Sequence, residues 1–283
     1  MGELSYERDH ASGIVTVTID TAGPVNAIGA AFVAELHAVV RRAESDGAKG
    51  MLLVSGKPKS FLDGANLVEI RKSASAFALG HLLDQLHDAL AALARSPFPV
   101  VAALREQTAL GGGCELLLWA CDHVFATAGS RIGLPEVNVG LFPAAGGMEA
   151  LRRLAGMEMM LDVVLNGRSM PAADLTGLGI VSVVPAAELL DRAREWLLAH
   201  PGHLNRNVDP AGKAVDDTRR AEWPAIIAKA RKRSCVCPEK PWFRAALDAL
   251  EEGLALPFEE AVRAERKHFA PLIEHPNSLN KID

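Results

Sequence analysis

Short apolar runs alternate with amphipathic helical segments along the first two thirds of the chain. The β-branched alternation Ile14–Ile19 and the apolar runs Met51–Val54 and Pro99–Leu104 predict buried strands. Between them, residues 30–44 and 77–95 carry apolar side chains at helical spacing. Buried strands that alternate with crossover helices form largely parallel sheets. The pattern therefore predicts an α/β core.

The alternation continues to about residue 200 and then stops. Four further segments belong to it: a helix from Gly111 to about Ala120, a strand at His123–Ala126, a helix near residues 149–165 and a strand at Gly179–Val184. Beyond them only helical patterns follow, notably over residues 241–253 and 257–270. We expect residues 1–200 to form a β/α core that holds the active site, and residues 201–283 to form a helical C-terminal region.

Composition excludes several classes of partner. Of 283 residues, 49% are hydrophobic and 23% charged, which is typical of a globular rather than a disordered protein. Only 5% are aromatic and the formal net charge is −5, so a base-stacking, phosphate-binding surface is not expected. No run approaches the ~18 apolar residues of a membrane span, and the N-terminus lacks a secretory signal. We expect a cytoplasmic protein that does not bind nucleic acid and does not span a membrane.

The four cysteines do not predict a metal site. Cys114 and Cys121 lie in apolar sequence that is typical of buried free thiols. Cys235 and Cys237 have too few neighbouring histidines or cysteines for zinc. We therefore expect no metal.

Two charged or polar clusters are interpreted as solvated surfaces. His81 and His87 lie among aspartates on the predicted helix 77–95, which favours a solvated face over a metal site or a catalytic pair. The basic run at residues 229–233 fits the solvated end of a helix in the C-terminal region, with an anion contact as the alternative.

The glycine run Gly111-Gly-Gly113 is the clearest candidate for a binding site in the sequence. Glycines let the backbone turn sharply and approach a ligand closely, and the N–H groups of the following first helical turn remain free to donate. The partial positive charge at a helix N-terminus also stabilises an oxyanion. Glu115 lies in that turn, so a glycine turn capped by a glutamate remains an equal alternative. Neither a dinucleotide-binding fingerprint nor a P-loop is present in this run.

A second carboxylate, Glu136, lies in an apolar loop punctuated by Gly and Pro between Arg131 and Gly147. Burying a carboxylate raises its pKa and requires compensating partners, so such a residue is costly without a task. Two carboxylates in such settings suit paired acid and base chemistry.

Taken in order, three segments resemble the crotonase (enoyl-CoA hydratase/isomerase) family. Phe-x-x-Gly-Ala-x-Leu at residues 61–67 is similar to the first oxyanion loop of the family, and Ala-Leu-Gly-Gly-Gly-Cys-Glu-Leu at 109–116 is similar to the second. Gly-Leu-Pro-Glu at 133–136, followed by Gly-x-x-Pro and Gly-Gly, resembles the second catalytic loop. The likeness spans about residues 10–190. Residues 238–275 resemble the hydratase region of multifunctional fatty-acid oxidation proteins.

The resemblance implies an α/β fold, a crotonase-like spiral of ββα units with an α-helical C-terminal region, assembled as a trimer or a dimer of trimers. It implies a coenzyme A thioester substrate and no separate cofactor. The thioester oxygen would accept hydrogen bonds from the backbone N–H groups of Ala65 and Gly112. Glu115 would act mainly on the attacking water and Glu136 mainly on the α-proton.

Further assignments also follow from the resemblance. Ala27 and Ala65 would contact coenzyme A, and the N–H of Ala144 would position the water, provided that its φ is negative. Asn66 replaces the usual Asp, and the turn over residues 104–110, with two charged residues, replaces a shorter Asn-Gly turn.

The predicted function is an enoyl-CoA hydratase. One alternative keeps the thioester site and changes the reaction to an isomerase, hydrolase or lyase acting on a polar or cyclic acyl-CoA; the 104–110 turn and Ala144 favour it. Another is a non-catalytic acyl-CoA-binding subunit that joins a dehydrogenase partner.

Overall fold

A computed structural model of the chain describes residues 2–66, 69, 76–202, 217–235 and 239–282. Within these ranges, no helix combines the length and the apolar character that a membrane crossing requires. The chain divides into two compact units. Unit 1 comprises residues 1–66, 85–132 and 170–207. Unit 2 comprises residues 67–84, 133–169 and 208–283.

A six-stranded sheet forms the centre of unit 1. Its strands are β1 (Leu4–Arg8), β2 (Ile14–Ile19), β3 (Gly50–Ser55), β5 (Val100–Leu104), β7 (His123–Ala126) and β10 (Val181–Val183), in that spatial order. β1 pairs antiparallel with β2, and every other neighbouring pair is parallel. All five residues of β5 are buried, as expected for a strand covered on both faces. The predicted α/β core is confirmed.

A second, smaller sheet contains strands of three residues each. They are β4 (Ser60–Leu62), β6 (Thr108–Leu110), β8 (Arg131–Gly133) and β9 (Ser169–Pro171), in the spatial order β4-β6-β8-β9. The boundary between the two units falls within β8 and β9. The sequence does not predict these strands, because three residues are too few to show an alternation.

Three helices lie where the sequence predicts them: α1 (Ala30–Ser45), α2 (Ala76–Ala94) and α3 (Gly112–Glu115, continued as a π-helix over Leu116–Ala120). A fourth helix, α6 (Leu189–Ala199), is not predicted by the sequence. In α1 the buried residues include Phe32, Val33 and Leu36, which form the expected apolar face. One face of α6 packs with the sheet residues Leu52 and Val101 in a buried apolar cluster.

The interpretation of His87 as part of a solvated face is wrong. His87 is 6% exposed, and its ring centroid lies 5.4 Å from that of Trp119. The physical reason is position: His87 precedes the buried Leu90 by three residues and therefore shares its face of α2. His81 is exposed, as expected.

Two of the four cysteines have side chains that the structure describes. Cys114 and Cys121 are buried free thiols, as predicted. No group of three His, Cys, Asp or Glu residues suited to a metal occurs among the residues that the structure describes. Cys237 and the side chain of Cys235 lie outside the described residues.

Unit 2 is mainly helical. Its helices are α4 (Gly147–Ala155), α5 (Met157–Asn166), α7 (Trp223–Cys235), α8 (Pro241–Gly253), α9 (Phe258–Phe269) and α10 (Pro276–Ile282). The single helix predicted near residues 149–165 is two helices, because Gly156 adopts a φ of 87° between them. In the basic run of α7, Arg231 forms an ion pair of 2.6 Å with Asp248 of α8. The prediction that this run is only a solvated helix end is therefore wrong for Arg231.

Candidate functional site

A buried asparagine anchors the loop that leads into the candidate site. The Asn26 side chain is inaccessible to solvent, and its Nδ2 donates to the carbonyl oxygens of Ile19 and Phe61, each at 3.0 Å. Its Oδ1 accepts a hydrogen bond from the N–H of Thr21 at 2.8 Å. One side chain therefore ties the end of β2 and the strand β4 to the loop between β2 and α1. The sequence does not single out Asn26, which lies within the likeness over about residues 10–190.

The segment after β4 is oriented by Ile28. The N–H of Ile28 donates to the carbonyl of Gly64 at 2.7 Å, and the N–H of Asn66 donates to the carbonyl of Ile28 at 2.8 Å. In a trans peptide the C=O and N–H point in opposite directions. The N–H of Ala65 shares a peptide group with the Gly64 carbonyl and therefore points away from Ile28.

The start of α3 provides a second free donor. Gly111 has a φ of 53°, in the region that favours glycine, and its carbonyl accepts the N–H of Glu115 at 2.9 Å. This is the first hydrogen bond of the helix, so the N–H of Gly112 has no acceptor within it.

The two backbone segments are in direct contact. A Cβ on Gly113 would overlap the carbonyl oxygen of Leu62. A Cβ on Gly64 would lie 3.8 Å from the nitrogen of Gly112, and Gly64 itself has a φ of 86°. Glycine is thus required at 113 by close approach and at 64 by backbone conformation.

Glu115 lies beside this pair of segments. The side chain is 3% exposed, and its Oε2 lies 3.8 Å from the position that a Cβ on Gly112 would occupy. A nearly buried carboxylate next to a helix N-terminus is favoured electrostatically when it is ionised. Unit 1 therefore brings Gly112, Glu115 and the loop carrying Ala65 together, as the resemblance implies. Ala27 lies in the preceding loop, where its N–H donates to Thr21 Oγ1 at 3.0 Å.

Asp63, which the sequence did not single out, lies in the same loop. Its side chain is half-buried, and its Oδ1 has no hydrogen-bond partner among the described residues. Burial raises the pKa of the Asp63 carboxyl, while hydrogen bonds from the Thr108 and Ser60 side chains oppose the shift.

Glu136 and Ala144 lie in unit 2. Glu136 begins a single 3₁₀ turn to Val139, its Oε2 atom is buried, and its carbonyl accepts the N–H of Leu141 at 3.0 Å. Ala144 is buried too. Among the described residues, Glu106 is the only non-glycine with a positive φ, so the φ of Ala144 is negative and the condition set for its N–H is met.

A glutamate from the C-terminal region holds the segment that follows Ala144. The carboxylate of Glu265 in α9 accepts hydrogen bonds from the N–H groups of Gly146 and Glu149, both at 2.9 Å. Glu265 is 2% exposed. Sequence reasoning missed it, although one signal was present: it falls between Val262 and Phe269 on the apolar stripe of α9.

Comparisons with known proteins identify the family of the chain. Residues 9–222 match the family model described as enoyl-CoA hydratase/isomerase. The fatty acid oxidation complex subunit alpha of Shewanella amazonensis is 31% identical, over 94% of this chain and 38% of its own length. The same subunit of Vibrio cholerae is 33% identical, over 96% of this chain and 39% of its own. The chain thus spans less than two fifths of the curated relatives it matches.

A solved structure is similar to this chain in its fold. An enoyl-CoA hydratase from Geobacillus kaustophilus is similar to this chain with a TM-score of 0.64 and 25% identity, covering 98% of this chain and 90% of that one. The family model matches most of the chain, and the relatives match nearly all of it. The chain therefore belongs to the enoyl-CoA hydratase/isomerase family and has the crotonase fold.

Proposed function

We propose that the protein is an enoyl-CoA hydratase, which adds water across the double bond of a 2-enoyl-CoA thioester. The observation that carries the proposal is the contact between two backbone segments, each with a donor, beside a buried carboxylate. The N–H of Ala65 points away from Ile28, the N–H of Gly112 has no helical acceptor, and Glu115 lies next to Gly112.

In the proposed reaction, these donors bind the thioester oxygen. The ionised Glu115 removes a proton from a water molecule as the water oxygen attacks the β-carbon. Electron density moves onto the thioester oxygen, and Ala65 and Gly112 stabilise the resulting enolate. Glu136, protonated at the start, gives its proton to the α-carbon. Glu115 then loses a proton to solvent and Glu136 takes one up, so the starting state is restored and one water is added in total. Loss of one oxyanion-hole donor in other enzymes raises the barrier by about 3 kcal/mol.

The remaining assignments belong to the same proposal. The N–H of Ala144 holds the attacking water, which its negative φ permits. Ala27 and Ala65 contact coenzyme A, which is part of the substrate, so no separate cofactor is used. The similarity to fatty acid oxidation subunits supports an acyl-CoA from fatty acid degradation as the substrate. A dehydrogenase partner that receives the product is part of the same proposal.

The proposal is tested by incubating the protein with crotonyl-CoA and longer 2-enoyl-CoA esters and recording the loss of the conjugated double bond. Glu115→Gln and Glu136→Gln should each lower kcat by about 100- to 10,000-fold, because amide side chains cannot exchange a proton with water or the α-carbon. Glu7→Gln changes an exposed glutamate of β1 and should retain full activity.

Mass spectrometry of the products separates hydration from the alternatives. Hydration adds one water to the thioester, isomerisation leaves its mass unchanged, and hydrolysis releases free coenzyme A. Folded protein that consumes no enoyl ester of any chain length would refute the hydratase. Tight binding of coenzyme A esters without turnover would instead identify a non-catalytic binding subunit.

A further inference from the structure

Unit 1 contains a cavity of about 400 Å³ between β3, β5 and α6, which we name the α6 cavity. Its floor is apolar and includes Leu52, Val54, Ala103, Leu189 and Leu190. Its volume lies within the range of small-molecule sites. None of the residues assigned above to the thioester site lines it.

The rim of the α6 cavity is basic. Lys57, Arg105 and Arg194 line it, and no Asp or Glu does so among the described residues. Lys57 forms an ion pair of 2.7 Å with Asp20, whereas Arg105 has no ion pair with any residue that the structure describes. The contact of Arg194 with Asp191 is long, at 3.9 Å, and both side chains are largely exposed, so its charge is only weakly compensated.

A buried side chain joins the backbones of two of these basic residues. Gln107 is 5% exposed and also lines the cavity. Its Nε2 donates to the carbonyl of Lys57 at 2.6 Å, and its Oε1 accepts the N–H of Arg105 at 3.0 Å. The two loops that carry Lys57 and Arg105 are therefore held together at the cavity edge.

The turn that presents Arg105 is strained. Glu106 has a φ of 54°, a conformation that costs free energy for any residue with a Cβ. It is held there because its N–H donates to Thr127 Oγ1 at 2.7 Å and its carboxylate accepts the N–H of Gly129 at 3.3 Å. Backbone strain that surrounding contacts maintain is concentrated at functional sites.

We infer that the α6 cavity binds a small amphipathic anion, with its carboxylate on Arg105 and Arg194 and its apolar body against the floor of the cavity. Guanidinium groups match a carboxylate in both charge and geometry. The apolar floor would exclude water from the body of such a ligand. This inference is independent of the proposed hydratase reaction.

Octanoate is a suitable probe, because it joins a carboxylate to a short alkyl chain. In calorimetric titration of the 283-residue protein we expect saturable binding of octanoate. 1-Octanol lacks the charge and inorganic phosphate lacks the apolar body, so each should bind at least tenfold more weakly. Arg105→Gln and Arg194→Gln should each weaken octanoate binding at least tenfold. The matched control is Arg192→Gln, which removes a cation from α6 that does not line the cavity and should leave binding unchanged.

Competition by crotonyl-CoA distinguishes the two sites. Octanoate affinity should be unaffected by saturating crotonyl-CoA in a Glu115→Gln background, whether or not that variant confirms the hydratase. Displacement by crotonyl-CoA would mean that octanoate occupies the thioester site, which would overturn the inference. It would also be overturned by an absence of saturable binding, by equal binding of 1-octanol or phosphate, or by an Arg105→Gln variant that binds octanoate normally.

Discussion

Single glycines control how closely the two backbone segments of the candidate site approach. Gly113→Ala would drive a Cβ into the carbonyl of Leu62, which is backbone and cannot rotate away. Gly112→Ala would bring a Cβ to 2.5 Å from Cδ1 of Ile28, which is the end of a flexible side chain. We expect Gly113→Ala to destabilise the protein by about 3 kcal/mol or more, and Gly112→Ala to cost clearly less.

Thermal unfolding of both variants measures this difference. Ile28→Val removes the Cδ1 atom and should relieve part of the cost of Gly112→Ala, but none of the cost of Gly113→Ala. Equal melting temperatures for the two glycine variants would contradict the close approach at Gly113.

The raised pKa of Asp63 predicts that the stability of the fold depends on pH. Because burial raises the pKa of this carboxyl in the folded state, folding favours its protonated form. Its destabilising effect is absent below the ordinary carboxyl pKa and develops as pH rises through the raised value. Asp63→Asn should therefore melt higher than the wild type at pH 7, by a degree or so, and the gap should close as pH falls toward 4. Asp88→Asn, at an exposed position of α2, should show no such trend.

At the scale of single residues, the sequence identifies a functional residue within a local motif better than it identifies the partners of a residue. Glu115 and the glycine run could be identified because a local motif contains both. Asp63 and Glu265 are not identified from the sequence, because their importance depends on burial and on partners distant in the chain, although the apolar stripe of α9 indicates that Glu265 is buried. His87 shares the helix face of Leu90, but its indole neighbour, Trp119, lies 32 positions away.

At the scale of elements, one helix of the C-terminal region supports the loop proposed to hold water. Glu265→Ala would leave the buried N–H groups of Gly146 and Glu149 without their acceptor, at about 1–3 kcal/mol each. Since Ala144 lies two residues before Gly146, its N–H should shift as well. We expect a melting temperature lower by several degrees and a kcat for crotonyl-CoA at least tenfold lower, with a smaller change in KM.

Two other variants of α9 make this test specific. Glu265→Gln keeps one acceptor oxygen and should recover part of both losses. Glu260→Ala changes an exposed residue of the same helix and should have little effect. If Glu265→Ala retained the wild-type kcat, the support of the loop by α9 would be disproved.

The elements with a clear sequence pattern are predictable. The alternation of β2, the apolar run of β3 and the helical spacing of α1 predict limits close to the observed ones, whereas β1 and α6 are not predicted. The three-residue strands of the small sheet were not found, and the break at Gly156 was missed because the apolar spacing continues across it. Tertiary pairing determines such short strands more than their own sequence does.

At the scale of the whole molecule, the family resemblance implies a trimer or a dimer of trimers, and we propose this assembly. Among the described residues, the exposed large apolar side chains are only Val25, Leu198 and Leu279, so we expect its interfaces to be mainly polar. Light scattering of the purified protein should give three or six times the 30.1 kDa chain mass. A mass equal to one chain at micromolar concentration would exclude this assembly.

The fold class was predictable at this scale because a combination of motifs in fixed order is far more specific than any one of them. Alone, the glycine run fits an ordinary turn, and residues 60–67 fit an ordinary loop. The reaction was less predictable, because members of one fold family can catalyse different reactions through small changes in loops.

The hydrogen bond from Gly146 to Glu265 joins residues 119 positions apart. At roughly 5–20 residues per second, a ribosome needs about 6–24 s to synthesise the intervening chain. During that interval the N–H groups of Gly146 and Glu149 lack their acceptor on Glu265, although five of the six strands of the central sheet have already been made. The loop proposed to hold the catalytic water is therefore among the last parts of the protein to take its final form. A translational pause before α9 would prolong exposure of that unfinished loop.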